Sequence, residues 1–365
     1  MRELDSYRLG LRKCEYMSEA KYHHRIPQTY MKSWCFSGDS VWWYDKESKV
    51  SKQRNIGNIM GVNHFHSIKA GSIFTKTEAL DKIFAPLDGH TVFDSDYEGK
   101  TTQLMTKDEL NQKFYNYDNW TIKDSDGNEL TAKQKRILYN EISQISDNYI
   151  EKAWSQKYEN AWKDTITEIE KVVKDIHDKK PILLTDTAYH TIIDYFVMFQ
   201  WRSKQGYDEA RKVIDWITEV VPEIMRMTVS DSVHKEDKTV QDEMWHNYLL
   251  SQYHKFLNGD GVMSQELEQY FEKLSPIFMI DKTESIITSD NPCFTFINKD
   301  GYREPILVAL PGLIISLAKK DPDSPNSYRI YEMNSDDVKY YNRVIFESGN
   351  EIISKTGLDY SEYAG

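Results

Sequence analysis

Ile277-Phe278-Met279-Ile280, Ser285-Ile286-Ile287-Thr288, Phe294-Thr295-Phe296, Ile306-Leu307-Val308 and Leu313-Ile314-Ile315-Ser316-Leu317 are short runs bounded by Asp, Asn, Pro and Gly. Their length and their content of Ile, Val and Phe fit strands of a small antiparallel sheet. The stretch before them has a different period. From Thr131, which can cap a helix, Ile137, Leu138, Ile142, Ile145, Tyr149, Ile150, Trp154, Tyr158, Ala161, Trp162, Ile166 and Ile169 recur at three- and four-residue intervals. That pattern predicts one long helix or two in tandem, closed by Lys179-Lys180-Pro181. Thr185 or Asp186 caps a further helix through Ile192, Phe196 and Gln200, and amphipathic segments follow near 207–228 and 236–257. Helices over 131–275 and strands over 276–365 predict an α+β fold.

Residues 1–75 read as an N-terminal β/α segment. Pro27 at a first helical position starts a helix through Trp34, Val41-Trp42-Trp43-Tyr44 reads as a strand entering a turn at Asp45-Lys46, and a second strand lies near Gly61–His66. Residues 76–130 form a variable insertion, whose part from about 90 reads as irregular or as a small hairpin because of its Asp, Asn, Gly and Thr content. A helix around Asp336–Phe346 and a last strand, Glu351-Ile352-Ile353-Ser354, complete one integrated α+β domain over 1–365.

Across 365 residues, 46 Lys and Arg stand against 58 Asp and Glu, a formal charge of −12. That balance excludes coating nucleic acid by global charge and leaves a local basic groove open. Three widely spaced cysteines make neither a disulfide framework nor a zinc finger. The charged start, Met1–Arg8, lacks a secretory apolar stretch, and nowhere do 18 apolar residues run together, so a cytoplasmic protein with no membrane association is expected. The 24 tyrosines and nine tryptophans suit core clusters better than base stacking.

Several segments carry candidate chemistry. In Tyr22-His23-His24-Arg25-Ile26-Pro27-Gln28, two imidazoles precede a helix start, a combination suited to proton transfer beside an anion, or to a cap and a surface histidine. His64-Phe65-His66 puts two imidazoles on one face of a strand, a metal-binding spacing without a third ligand. Glu151 and Glu159 lie eight residues apart, about 80° around an α-helix, among Trp154, Tyr158 and Trp162. Carboxylates so placed suit a general base, a metal ligand or a structural ion pair. Gln200 and Arg202 follow the apolar Phe196–Phe199 face, where an Arg can clamp a phosphate or pair with a core carboxylate. Asp290 and Asn291, in Thr288-Ser289-Asp290-Asn291-Pro292, end a β run in a turn. Ser232-x-x-Lys235, Ser289-Asp290-Asn291 and Lys355-Thr356-Gly357 stand in the order of the penicillin-recognising serine enzymes, but Ser232 sits in a charged run and the Lys-Thr-Gly almost at the C-terminus, so that match is rejected.

His23-His24-x-Ile26-Pro27-Gln28-x-Tyr30, Tyr44-Asp45-Lys46, a helix with Glu151 and Glu159, Phe199-Gln200-x-Arg202 and Thr288-Ser289-Asp290-Asn291-Pro292, in that order from Tyr22 to Lys319, resemble the domain of unknown function 4238 family. Arg25 and Thr29 depart from its common aromatics, and Ser203-Lys204 from its frequent Thr-Pro. The resemblance implies a polar, ionisable site without naming an activity. Should these residues converge, they are the inventory of a phosphodiester hydrolase, a nuclease of a microbial toxin or phage-defence type. His23 or His24 would be acid or base, Glu159 would orient a His, and Arg202 would stabilise phosphate charge. Gln28, Gln200, Asp290 and Asn291 would bind or orient substrate, with a divalent metal left open on Glu151, Glu159 and Asp290. The partner would be nucleic acid or a nucleotide. The alternative is a non-catalytic nucleotide- or peptide-binding sensor.

Overall fold

The computed structural model describes residues 22–72, 77–177, 185–220, 239–321, 328–357, 360 and 363. Ser232, Lys235, Lys179–Pro181 and the end of the 207–228 segment lie outside them. The fold is α+β. In chain order it begins with strand β1 (Tyr22–His24), helix α1 (Gln28–Met31) running into a 3₁₀ turn at Lys32–Trp34, and strands β2 (Ser40–Asp45), β3 (Val50–Asn55) and β4 (Gly61–Asn63). Next come α2 (Thr77–Ile83), β5 (Thr91–Ser95), β6 (Thr101–Leu104), α3 (Lys107–Gln112) and β7 (Trp120–Lys123). The expected irregular insertion is therefore regular. Its sheet has the order β6-β5-β7, and Thr106 and Glu109 close a reciprocal capping box at the start of α3.

The long periodic stretch is broken rather than continuous. Helix α4 (Ala132–Gln144) begins at the predicted cap, with the Thr131 side chain accepting from the Gln134 amide, and stops at Ile145, whose backbone is extended. Asp147 then exchanges backbone hydrogen bonds with Ile68 before α5 (Tyr149–Trp154), a π-helical turn at Ser155–Glu159 and α6 (Asn160–His177). Helix α7 (Asp186–Arg202) takes Thr185 as its cap and is buried almost all round, as a central core helix must be. Ser203 turns the chain into α8 (Lys204–Val220). Its hydroxyl accepts the Gly206 amide at 3.4 Å. Helices α9 (Val240–Leu257) and α10 (Gly261–Lys273) complete the central layer. Trp162 stacks on Tyr195 at 4.0 Å and Tyr30 meets Phe199 edge-on at 4.9 Å, so the aromatic surplus fills the core.

Strands β8 (Leu274–Ile280), β9 (Thr288–Ser289), β10 (Cys293–Ile297), β11 (Arg303–Leu310), β12 (Leu313–Lys319) and β13 (Arg329–Glu332), helix α11 (Ser335–Ser348) and strand β14 (Glu351–Ser354) follow. The C-terminal sheet has the order β10-β11-β12-β8-β13. It is antiparallel except that β13 lies parallel to β8. The Ser285–Thr288 run does not enter it. Thr288–Ser289 instead pairs with β14 in a second sheet, β3-β2-β14-β9, which joins the two ends of the chain. The Tyr30 hydroxyl ties these regions together through Thr288 Oγ1 at 2.7 Å and the Val308 carbonyl at 2.5 Å.

Candidate active site

Strand β1 pairs antiparallel with β4, His23 opposite Val62. Side chains alternate along a strand, so His23 is fully buried while His24 faces the other way. Beyond β4 the chain turns at His64, which has φ +59° and accepts the Ser67 amide on its carbonyl. His64 and His66 are thus on a turn and not on one face of a strand. The turn presents the His66 amide to Nδ1 of His23 at 2.8 Å and brings the two rings to 5.7 Å and 14°. His64 hydrogen-bonds Ser67 instead.

Helices α5 and α6 bring the carboxylates. Glu151 bonds His66 Nδ1 through Oε2. The π turn between the two glutamates contains one residue more than an α turn, which removes about 100° of the expected rotation and leaves Glu151 and Glu159 within about 20° of one face. Glu159 consequently stands 3.9 Å from Arg202 Nη1. Arg202, at the end of α7, is fully buried. Its guanidinium lies over the Trp154 ring at 5.3 Å and donates through Nη2 to the His24 carbonyl. The expected phosphate clamp thus lies inside the molecule, beneath the backbone of the His-His motif.

Burial lowers the His66 pKa to about 4, only partly opposed by the Glu151 charge. Burial acts to raise Glu151, but the His66 charge and hydrogen bond together with Arg202 outweigh it and hold the carboxyl at about 2. At neutral pH the pair is therefore a carboxylate and a neutral imidazole, with Nδ1–H donating to Glu151. The lone pair falls on Nε2, which is buried and has no hydrogen-bond partner. Glu159 is pushed upward by burial, opposed by Arg202 and reinforced by Glu151. Glu151 and Glu159 retain 23% and 16% side-chain exposure, while His23 and His66 retain none, so the carboxylates lie nearer the surface than the imidazoles.

Among the described residues, His23, His66 and Glu151 are the group whose donor atoms, all within 4.8 Å, have the composition of a metal site. The anticipated set of Glu151, Glu159 and Asp290 does not come together in this way. Asp290 Oδ1 accepts the Asn350 amide at 2.7 Å and the Glu351 amide at 3.3 Å, and Asn291 Nδ2 donates to the Ser348 carbonyl at 3.3 Å, so this block clasps β9 to the approach to β14. Gly349 permits the closeness: a Cβ there would lie 2.4 Å from that of Ser289. Gln200 receives the Tyr270 hydroxyl at 3.2 Å. The His24 ring donates to the Ile56 carbonyl at 3.2 Å, with the Gln28 amide nitrogen 3.5 Å from Nδ1. Burial lowers the His24 pKa, partly opposed by its Ile56 bond. Arg25 faces Glu351 at 3.9 Å.

Sequence reasoning named His23, Glu151, Glu159 and Arg202 for one site but set His66 apart with His64 as a strand pair, because its place beside His23 and Glu151 comes from a turn. An open cleft of about 570 Å³ elsewhere, lined by Lys282, Lys355, Asp281 and Glu284 among others, contains none of these imidazoles. No helix among the described residues is long and apolar enough to cross a membrane.

No curated protein and no solved structure matches the chain. A family model described as protein of unknown function (DUF4238) matches residues 22–356, and the chain belongs to that family.

Proposed function

We propose that the protein is a phosphodiester hydrolase, a cytoplasmic nuclease of a microbial toxin or phage-defence type. The observation that carries this is the Glu151–His66 pair: a carboxylate fixes one imidazole nitrogen and leaves the other, Nε2, as a lone pair without a partner. That is the arrangement of a general base oriented by an acid residue. In the reaction, His66 Nε2 takes a proton from water and the water oxygen attacks phosphorus. The leaving oxygen then departs with the proton of Glu159, whose raised pKa suits a donor. Arg202 stabilises the Glu159 carboxylate that results.

End-labelled RNA, single-stranded DNA and duplex DNA, incubated with the protein and with His66→Ala, test this. Cleavage that falls about 10²- to 10⁴-fold in a folded variant supports the base; no cleavage of any substrate by the unaltered protein refutes the hydrolase. One feature favours a second reading. Both imidazoles and Arg202 are closed from solvent, as in a buried polar network that recognises a nucleotide or peptide without chemistry. Nucleotide-dependent thermal stabilisation without turnover would select it.

A further inference from the structure

The open cleft of about 570 Å³ is built by five separate segments. Helix α6 contributes Glu170 and Lys174, and Glu170 lies roughly 16 Å along the chain from Glu159. The remaining lining comes from Ser33 after α1, the Asp281–Glu284 turn after β8, the turn between β11 and β12, and Lys355 after β14. Two of these segments are locked together. The Asp281 amide donates to the Gly312 carbonyl at 2.9 Å and the Ile286 amide to the Pro311 carbonyl at 2.8 Å. Gly312 permits the approach, since a Cβ there would lie 2.9 Å from the Asp281 carbonyl oxygen. The Asp281 carboxylate accepts the amide and hydroxyl of Thr283 and of Ser285, which fixes the turn from within. The cleft is therefore preformed, and its volume is that of a small-molecule site.

Its lining combines an aliphatic surface with charges of both signs. Ile280, Leu310, Pro311 and Leu313 are buried apolar residues beneath it. Lys174, Lys282 and Lys355 stand against Glu170, Asp281 and Glu284. The four bonds to Asp281 use the acceptor capacity of its carboxylate. Lys282 pairs with Glu332 at 2.5 Å and Lys355 with Glu284 at 2.6 Å, but an ammonium has three N–H bonds, so neither pairing uses up its donor. Glu170, exposed on α6, supplies an acceptor. A simple anion would meet Glu170 and Glu284, and a simple cation would meet three lysines. A molecule with both charges and an apolar body matches all three properties. We propose that this cleft binds an aliphatic zwitterion, a free amino acid or a short peptide of such residues. Lys282 and Lys355 hold its carboxylate, Glu170 its ammonium, and Ile280, Leu310 and Leu313 its side chains.

Calorimetric titration of the full chain with trileucine and with leucine tests this and separates the two sources. At least one should bind at a single site. Acetylating the amino group, or amidating the carboxyl group, of the one that binds should weaken it roughly 5- to 10-fold. Glu170→Gln should remove the effect of acetylation, and Lys282→Met/Lys355→Met the effect of amidation. All three side chains are at least partly exposed, so the variants should keep the thermal midpoint of the unaltered protein within a few degrees. Absence of binding by both ligands, equal binding of capped and uncapped forms, or affinities that these substitutions leave unchanged would overturn the proposal. Adenosine monophosphate competing as tightly as the zwitterion would overturn it equally, in favour of an anion site. The readout is binding alone, so its failure leaves the hydrolase reading where it stands.

Discussion

At the scale of single residues, the candidate chemistry is concentrated in one hydrogen bond, that of His66 to Glu151. Its pH dependence has a definite sign. A buried imidazole with a pKa of about 4 against an ordinary value near 6.5 binds fewer protons folded than unfolded, so the protein loses stability as the pH falls through that window. Glu151, held at about 2, acts in the same direction: its contribution is present above the ordinary carboxylate value and is lost as the pH falls toward 2. Denaturant unfolding at pH 7 and pH 4.5 should show a deficit of roughly 2–3 kcal/mol at the lower pH, and His66→Gln should remove most of the His66 share. Equal slopes in the two proteins would mean that His66 is not the buried neutral base. The acid limb of cleavage should likewise lie near pH 4 rather than 6.5. At this scale the sequence disclosed residue types well, because two adjacent histidines and a lone arginine after an apolar face stand out. It could not disclose which nitrogen holds a proton, since that is decided by an amide 43 positions along the chain.

At the scale of elements, two local irregularities position the site. The π turn at Ser155–Glu159 puts Glu151 and Glu159 on one face. Deleting the exposed Gln156 would remove the extra residue and leave seven α-helical steps between the glutamates, about 700°, so Glu151 and Glu159 stay within about 20° of one face. Such a variant should keep its helical circular dichroism and its cleavage, and loss of cleavage in a folded protein would show that the π turn does more than align the two glutamates. The second irregularity is the corner at Ser203. A Cβ on Gly206 would meet the Gln200 carbonyl at 2.1 Å and the Trp201 Cα at 2.7 Å, both backbone atoms that cannot give way. Gly206→Ala should therefore force α7 and α8 apart, cost roughly 1–3 kcal/mol in thermal unfolding and displace Arg202 from His24. Capping was legible here: Thr131 and Thr185 start α4 and α7 as expected, because a cap is set by its nearest neighbours. The π turn was not, for the same periodicity in Tyr149, Trp154, Tyr158 and Trp162 can be wound with 3.6 residues per turn throughout.

At the scale of the whole molecule, the ends of the chain are mutually dependent. Strand β14 lies between β2 and β9, with Ile352 and Ile353 fully buried. Ile353→Ala should destabilise by roughly 2–5 kcal/mol through the cavity it leaves, and a midpoint shift shared by tryptophan fluorescence and circular dichroism would show that the effect reaches beyond the sheet. The class of fold and the approximate elements were determined by the sequence alone: helices over the middle, strands after Ser275, and a His-His-Ile-Pro start. These depend on periodicity, caps and turn formers, which act within a few residues. Tertiary structure decided which elements pair, that Asp290 serves backbone amides instead of a metal, and that His66 joins His23 and Glu151. Each of these depends on groups far apart in sequence whose approach is set by burial of the core, and a linear pattern contains no measure of that distance.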